Sequence, residues 1–243
     1  MAFEETIEFR PLDKVEQLME YAHMPGNEYV KQSIAIIEKC LNELNYDVTK
    51  FCISFNGGKD CTALLHLVYC VYMKHVPIED RSKIAINALY IEMPETFEEL
   101  KHFMNLAVKC YNLKVLKVEG PDYKKALKAV KADTEGQRFS MIFMGSRATD
   151  KTNLTHVQDT DADWPLFTRV SPMLHWSYHQ VWSFLRDNQV PYCSLYDQGY
   201  TSLGQKTNTF RNPKLRVVSA TGEVTYLPAY MLKDGFDERS FRV

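Results

Sequence analysis

The sequence predicts an α/β protein, a Rossmann-like three-layer sandwich with a mostly parallel central sheet, preceded by helices and followed by an irregular C-terminal region. Three observations carry that prediction. Apolar runs of strand length alternate with amphipathic runs of helix length between residues 50 and 146. Two adjacent glycines, Gly57 and Gly58, stand at a strand-to-helix junction. Several strand candidates end in polar or glycine-rich tips, at Asn56, at Glu92 and at Gly145-Ser146-Arg147. Ligands of such sheets lie beyond the carboxyl ends of the strands, so these tips are expected to converge.

The elements follow in order. Leu12, Val15, Leu18 and Met19 fit one helical stripe, Ile34, Ile37, Leu41 and Leu44 a second, and Pro25-Gly26-Asn27 separates them. Residues 50–55 read as a strand and 60–71 as a helix that turns Leu64, Leu67, Val68 and Val71 inward. A buried strand is expected over 85–91 and a helix over 96–110, with Phe97, Leu100, Phe103, Met104 and Ala107 on one face. A strand over 113–118, a helix over 123–131 and a strand over 141–144 complete the alternation. Residues 151–163 are polar and without period. A short strand is expected over 168–170 and a helix over 177–185, capped by Ser177. Residues 191–243 are turn-rich. The chain therefore reads as a single domain over 1–243, with helices to residue 48, an α/β core over 50–146, and loops and a C-terminal region over 147–243.

Composition narrows the function. Of 243 residues 45% are hydrophobic and 25% charged, and the formal charge is -2. That balance gives no bulk attraction to nucleic acid or to a membrane, so any anion site must be built locally. The partners expected are small molecules. None of the six cysteines forms a C-x-x-C pair, which argues against zinc or dithiol chemistry. No apolar stretch approaches membrane-spanning length, and the first ten residues carry three glutamates and no apolar run. A cytoplasmic monomer is the expectation.

The junction at Asn56-Gly57-Gly58 carries the chemistry. Glycines there permit positive φ and close approach of a ligand to the backbone. The helix that follows aims its unpaired N–H groups and positive dipole end at the turn, which makes an anion cradle suited to phosphate. A plain turn would not need Asn56, Lys59, Asp60 and Thr62 around it. The loop is not a Walker A motif, because Ile53 stands where that motif needs Gly and Asp60 follows the Gly-Lys pair. Asp60 would repel a phosphate bound in the same turn. A magnesium ion between them removes the conflict, which assigns Asp60 to a metal.

The stretch Ser54-Phe55-Asn56-Gly57-Gly58-Lys59-Asp60-Cys61-Thr62 resembles the pyrophosphatase loop of the adenine nucleotide α-hydrolase-like superfamily. That superfamily includes phosphoadenylylsulfate (PAPS) reductases and the eukaryotic FAD synthetases. Four further passages resemble the FAD synthetases. They are Gly145-Ser146-Arg147-Ala148-Thr149-Asp150, the segment from Asp161 to Arg169, the segment from Leu195 to Gly204 (shared in form with PAPS reductases), and Glu238-Arg239-Ser240-Phe241-Arg242. The sequence departs from the family in its compact stretch before the terminal arginines and in Lys151, where a turn former is common.

The resemblance implies an FMN adenylyltransferase that joins ATP and FMN into FAD and pyrophosphate with Mg2+. It implies catalytic roles for Asn56, Asp60, Asp150, Arg239 and Arg242. ATP and its phosphates would be held by Ile53, Ser54, Asn56, Gly57, Gly58, Asp60, Cys61, Thr62, Ile91 and Ser146. The flavin would be held by Asp161, Ala162, Asp163, Trp164, Arg169 and Arg242, and the metal by Asp60.

Two rivals stay open at this point. A PAPS reductase-like thiol enzyme needs a catalytic cysteine near the C-terminus, and the last here is Cys193. A flavin or nucleotide binding module would retain the loop without turnover, but it has no use for Asp60, Asp150 and both arginines together. Cys61, at a helix N-terminus, is expected to have a lowered pKa, although a small side chain fitting the turn is the simpler account.

Overall fold

The structure is a computed structural model, and it describes residues 9–150 and 153–240. A six-stranded sheet runs in the order β3-β2-β1-β4-β6-β5. Its strands are β1 (Phe51–Ser54), β2 (Ile86–Glu92), β3 (Leu113–Glu119), β4 (Met141–Phe143), β5 (Val157–Asp159) and β6 (Thr168–Val170). All neighbouring pairs are parallel except β5 with β6. The mostly parallel sheet is therefore present.

Its strands alternate as a sheet covered on both faces requires. Phe51 and Ile53 of β1, with Met141 and Phe143 of β4, enter the larger core. Cys52 and Ile142 point the other way, into a smaller core with Leu89 and Phe167. That smaller core is closed by Ala126, Leu127 and Val130 of helix α6 (Tyr123–Ala132). The larger face carries α3 (Lys59–His75), α5 (Glu98–Cys110) and α7 (Tyr178–Asp187), with the one-turn α4 (Ile78–Arg81) following α3. Ser177 caps α7 in a reciprocal capping box with Gln180, as the sequence indicates.

Helix α3 departs from the one-sided pattern. Every residue from Thr62 to Met73 is buried, not only the four on its predicted inner stripe. The reason lies in α1 (Val15–His23) and α2 (Glu28–Glu43), which pack on α3 and cover its outer side. A helix enclosed on all sides is apolar all round. The polar stretch read as without period also contains structure: Val157–Asp159 forms β5, the edge strand. Three residues half in solvent give too short a run for an alternation to show. The opposite edge is β3, whose Lys114 and Lys117 pair with Glu135 and Glu92. A small exposed hairpin, β7 (Arg216–Val218) and β8 (Val224–Tyr226), lies within the turn-rich region. Among the described residues no helix is long and apolar enough to cross a membrane.

Candidate active site

The connection from β1 through α3 leads to β2 on one side, while β4 lies on the other side of β1. Strand order thus reverses beside the carboxyl end of β1, the place where open α/β sheets bind ligands. A cleft of about 330 Å³ opens there. Its walls include Ser54, Asn56, Gly58, Asp60 and Cys61 from the loop, Ile91 from β2, and Gly145, Ser146 and Asp150 after β4. Arg239 enters it from the C-terminal region. Three strand ends converge here, but Glu92 turns to Lys117 and, like Arg147, does not line the cleft.

The loop itself differs in three details. Only Gly57 has positive φ, at 76°, and a Cβ there would stand 2.7 Å from Leu100 Cδ1. Gly57 therefore faces α5 rather than the cleft, and neither it nor Ile53 nor Thr62 lines the opening. Ile53 is fully enclosed in the core, and Thr62 turns its hydroxyl back to the carbonyl of Gly58 at 2.9 Å. Second, part of the loop's N–H set is spent within the protein. Gly58 N donates to Asn56 Oδ1 at 3.0 Å and Lys59 N to the Tyr196 hydroxyl at 2.9 Å. Asn56 thus shapes the turn with its oxygen, so only its Nδ2 could donate to a phosphate. Third, Gly145 lets β4 approach the start of α3, since a Cβ there would lie 3.0 Å from Cys61 N.

The Cys61 thiol is not activated. Burial, and then the neighbouring Asp60 carboxylate, push its pKa up to about 12. Desolvation outweighs the helix N-terminus, so the thiol stays protonated at neutral pH. Cys61 should therefore resist iodoacetamide in the native protein at pH 7.5 and react only on unfolding. Rapid native alkylation at this position would refute the assignment.

Charge pairing dominates the site. Arg147 is 1% exposed, and its Nη2 reaches Glu238 Oε1 at 2.6 Å, while its Nε lies 2.9 Å from Asp60 Oδ1. Lys59, also 1% exposed, joins Glu238 Oε1 at 2.8 Å and Asp60 Oδ2 at 3.1 Å. At the rim, Arg239 Nη2 meets Asp150 Oδ1 at 2.8 Å, and Asp150 Oδ2 accepts from Arg147 N at 3.0 Å. Three cations thus face three carboxylates.

This network revises the argument for Asp60. Burial alone would raise its pKa, but Lys59 and Arg147 outweigh burial and hold it below the usual carboxylate value. Its charge is balanced by protein cations, so repulsion of phosphate does not by itself demand a metal. The donor chemistry still suits one. Asp60 Oδ1 is buried and, although Arg147 Nε lies 2.9 Å away, accepts no aligned hydrogen bond, and Asp60 and Asp150 both line the cleft with hard oxygens. Because its folded pKa is depressed, ionised Asp60 stabilises the fold above the unfolded value of about 3.9, and that contribution fades as pH falls through the folded value. The melting-temperature difference between wild type and Asp60→Asn should therefore shrink below about pH 4. A difference that is constant from pH 7 to pH 3 would count against it.

The flavin candidates stand outside this cleft. None of Asp161, Ala162, Asp163, Trp164 and Arg169 lines it. Trp164 packs beside the smaller core, Arg169 donates to the Asp159 carbonyl at 3.1 Å, and Asp163 pairs with Lys124. That last contact sets the segment against the start of α6, where the neighbouring Tyr123 lines the cleft. Arg242 lies outside the described residues.

Three charged residues of the network carried no role in the sequence reading: Lys59, Arg147 and Glu238. All three sit inside motif passages, and their signal was a charge set among residues that otherwise pack or turn. Also unassigned were Ser202, Gly204, Gln205 and Asn208, which form another part of the wall. Their segment is tied across the cleft by Lys206 N donating to the Glu95 carbonyl at 2.9 Å.

Comparison with known proteins places this geometry. The family model described as the phosphoadenosine phosphosulfate reductase domain matches residues 50–211. A probable FAD synthase of Schizosaccharomyces pombe is 34% identical over 202 residues, covering 81% of this chain and 73% of its own length. The chain belongs to the FAD synthase family. A probable FAD synthase of Caenorhabditis briggsae is 40% identical over 236 residues, 94% of this chain. The chain spans 43% of the length of that relative and 40% of that of another from Caenorhabditis elegans. The family fold is also seen in the Candida glabrata FMN adenylyltransferase solved with FMN and the ATP analogue AMPCPP. It has a TM-score of 0.84 and 24% identity, covering 96% of this chain and all of that one. For a member of the FAD synthase family, the fold built on the mostly parallel sheet is thus the shared frame.

Proposed function

We propose that this chain is an FAD synthetase that transfers the adenylyl group of ATP to FMN, releasing pyrophosphate, with Mg2+. The observation that carries the reading is Arg239, brought by the C-terminal region to within 2.8 Å of Asp150 at the rim of the phosphate-loop cleft. A module that only bound nucleotide would gain little from a guanidinium there. An enzyme joining two anions needs one, because guanidinium matches phosphate oxygens and offsets their repulsion.

In this reading the FMN phosphate is already a competent oxygen nucleophile. It attacks the ATP α-phosphorus in line with departing pyrophosphate, so positioning and charge stabilisation supply the rate. The start of α3 and the strand-end residues Ser54, Ile91 and Ser146 hold ATP. Asp60, with Asp150 beside the same cleft, would hold Mg2+, which neutralises charge on the leaving pyrophosphate when bound. Arg239 faces the reacting phosphates, with Arg242 assigned the same duty by resemblance. The flavin end rests on the resemblance of Asp161–Arg169, with Trp164 as a flat apolar surface.

A thiol-based reductase is disfavoured. Burial raises the pKa values of both Cys61 and Cys193 to about 12, and Cys193 is fully enclosed. In this reading the protein works as a monomer in the cytoplasm. The deciding experiment supplies purified protein with ATP, MgCl2 and FMN and follows products by chromatography. FAD and pyrophosphate should appear in equal amounts and vanish with excess EDTA. Bound FMN without FAD would favour the binding module, and sulfite from PAPS the reductase.

A further inference from the structure

We propose that Glu238 is a positioning residue that sets turnover through Arg239. This rests on the adenylyl-transfer reading above. Glu238 is buried at 6% exposure although it neighbours a rim residue, and its carboxylate carries two enclosed cations, Lys59 and Arg147. Its backbone is fixed as well, because Thr201 Oγ1 donates to its carbonyl at 2.7 Å. Asn212, fully enclosed, donates to the preceding carbonyl of Asp237 at 3.1 Å. With both side chain and backbone pinned, the next residue has one place to stand. Arg239 therefore leaves the wall at a fixed point and extends to Asp150. Its Nε also lies 3.7 Å from Glu238 Oε1.

Loss of the Glu238 charge changes this arrangement in a defined way. Lys59 and Arg147 would face Asp60 alone, one positive charge in excess. Asp60 is already shared with Lys59, and Asp150, which accepts from the Arg147 backbone, is the other carboxylate whose charge acts on the freed guanidinium. Arg147 and Arg239 would then compete for Asp150, and Arg239 would lose its anchored pose. The effect falls on the geometry of the transition state more than on ATP binding, which the start of α3 and the strand ends provide.

A double-mutant cycle on the full chain tests this, with Glu238→Gln and Arg239→Ala read in steady-state FAD formation. Arg239→Ala should lower kcat by about 10²-fold and Glu238→Gln by about tenfold or more, with KM for ATP shifting less than about threefold. The double variant should match Arg239→Ala within about twofold, since one interaction is lost once. Losses that multiply, an effect confined to KM, or unchanged kinetics in Arg239→Ala overturn the proposal. If Glu238→Gln does not fold, Glu238→Asp takes its place in the cycle, because the shorter side chain draws the carboxylate back from Lys59 and Arg147. A crystal structure of the Gln variant gives a reading independent of catalysis. The Arg239–Asp150 pair should open from 2.8 Å to beyond about 4 Å, and a closed pair overturns the proposal. If the wild-type chain makes no FAD, the adenylyl-transfer reading falls, and this structural comparison alone decides the positioning.

Discussion

Replacing Arg147 by Met is expected to destabilise the fold by about 3–5 kcal/mol. The side chain is 1% exposed and contacts two carboxylates, Glu238 and Asp60. Removing it leaves those charges enclosed with Lys59 as their remaining inner partner. The cost of stranding a buried charge exceeds what the intact pair contributes, because both ions lost their hydration on folding. For a domain of this size the midpoint should fall by roughly 6–20 °C. A second variant separates charge from packing: adding Glu238→Gln to Arg147→Met should recover part of the loss, since an enclosed carboxylate is then gone as well. A midpoint within about 2 °C of wild type for Arg147→Met alone would show that the network bears little of the stability.

Gly57→Ala is the second large effect. Positive φ costs a side-chain-bearing residue about 1–2 kcal/mol, and the new methyl would meet Leu100 and Met104 at 2.7 and 2.8 Å. Overpacking of that kind adds about 1–3 kcal/mol unless α5 shifts. Relief requires the loop to move away from α5, which displaces Gly58 and the start of α3. A shift near 1 Å at a positioning element lowers turnover by about 10²-fold. Loss of activity and a lower melting temperature should therefore appear together. Gly58→Ala makes the contrast, because its φ of -67° suits any residue and its nearest contact is Asn56 Oδ1 at 3.1 Å. Equal damage in the two variants would contradict the assignment of strain to Gly57.

The fold was legible where periodicity is long and the covering is two-sided. The alternation between residues 50 and 146 gave strands, helices and the place of the cleft, and Ser177 gave the start of α7. Single-strand periodicity did not reveal β5, since Val157, Gln158 and Asp159 at an edge carry no buried stripe. The site was legible as far as backbone chemistry writes itself into residue type. Gly57, Asp60, Asp150 and Arg239 could be read from turn geometry, charge and family resemblance. The partners of those charges could not. Lys59 and Glu238 are 179 positions apart, and only the folded chain shows that they neutralise one another. For the same reason Asp60 read as a carboxylate in need of a metal, when two protein cations already face it. Trp164 and its neighbours were read as a flavin site from resemblance, and they flank the cleft through α6 rather than lining it.

The two rims of the sheet have a bearing on behaviour at high concentration. A parallel sheet offers unpaired amides and carbonyls along its outermost strands, and another copy could add to either. On one side Lys114 and Lys117 project from β3 and would have to be stripped of water for a neighbouring strand to dock. On the other, β5 is three residues long and runs against the direction of the rest, so it offers little length to extend. Both features oppose edge-to-edge stacking, which favours a chain that stays dispersed when crowded and refolds without templating its neighbours.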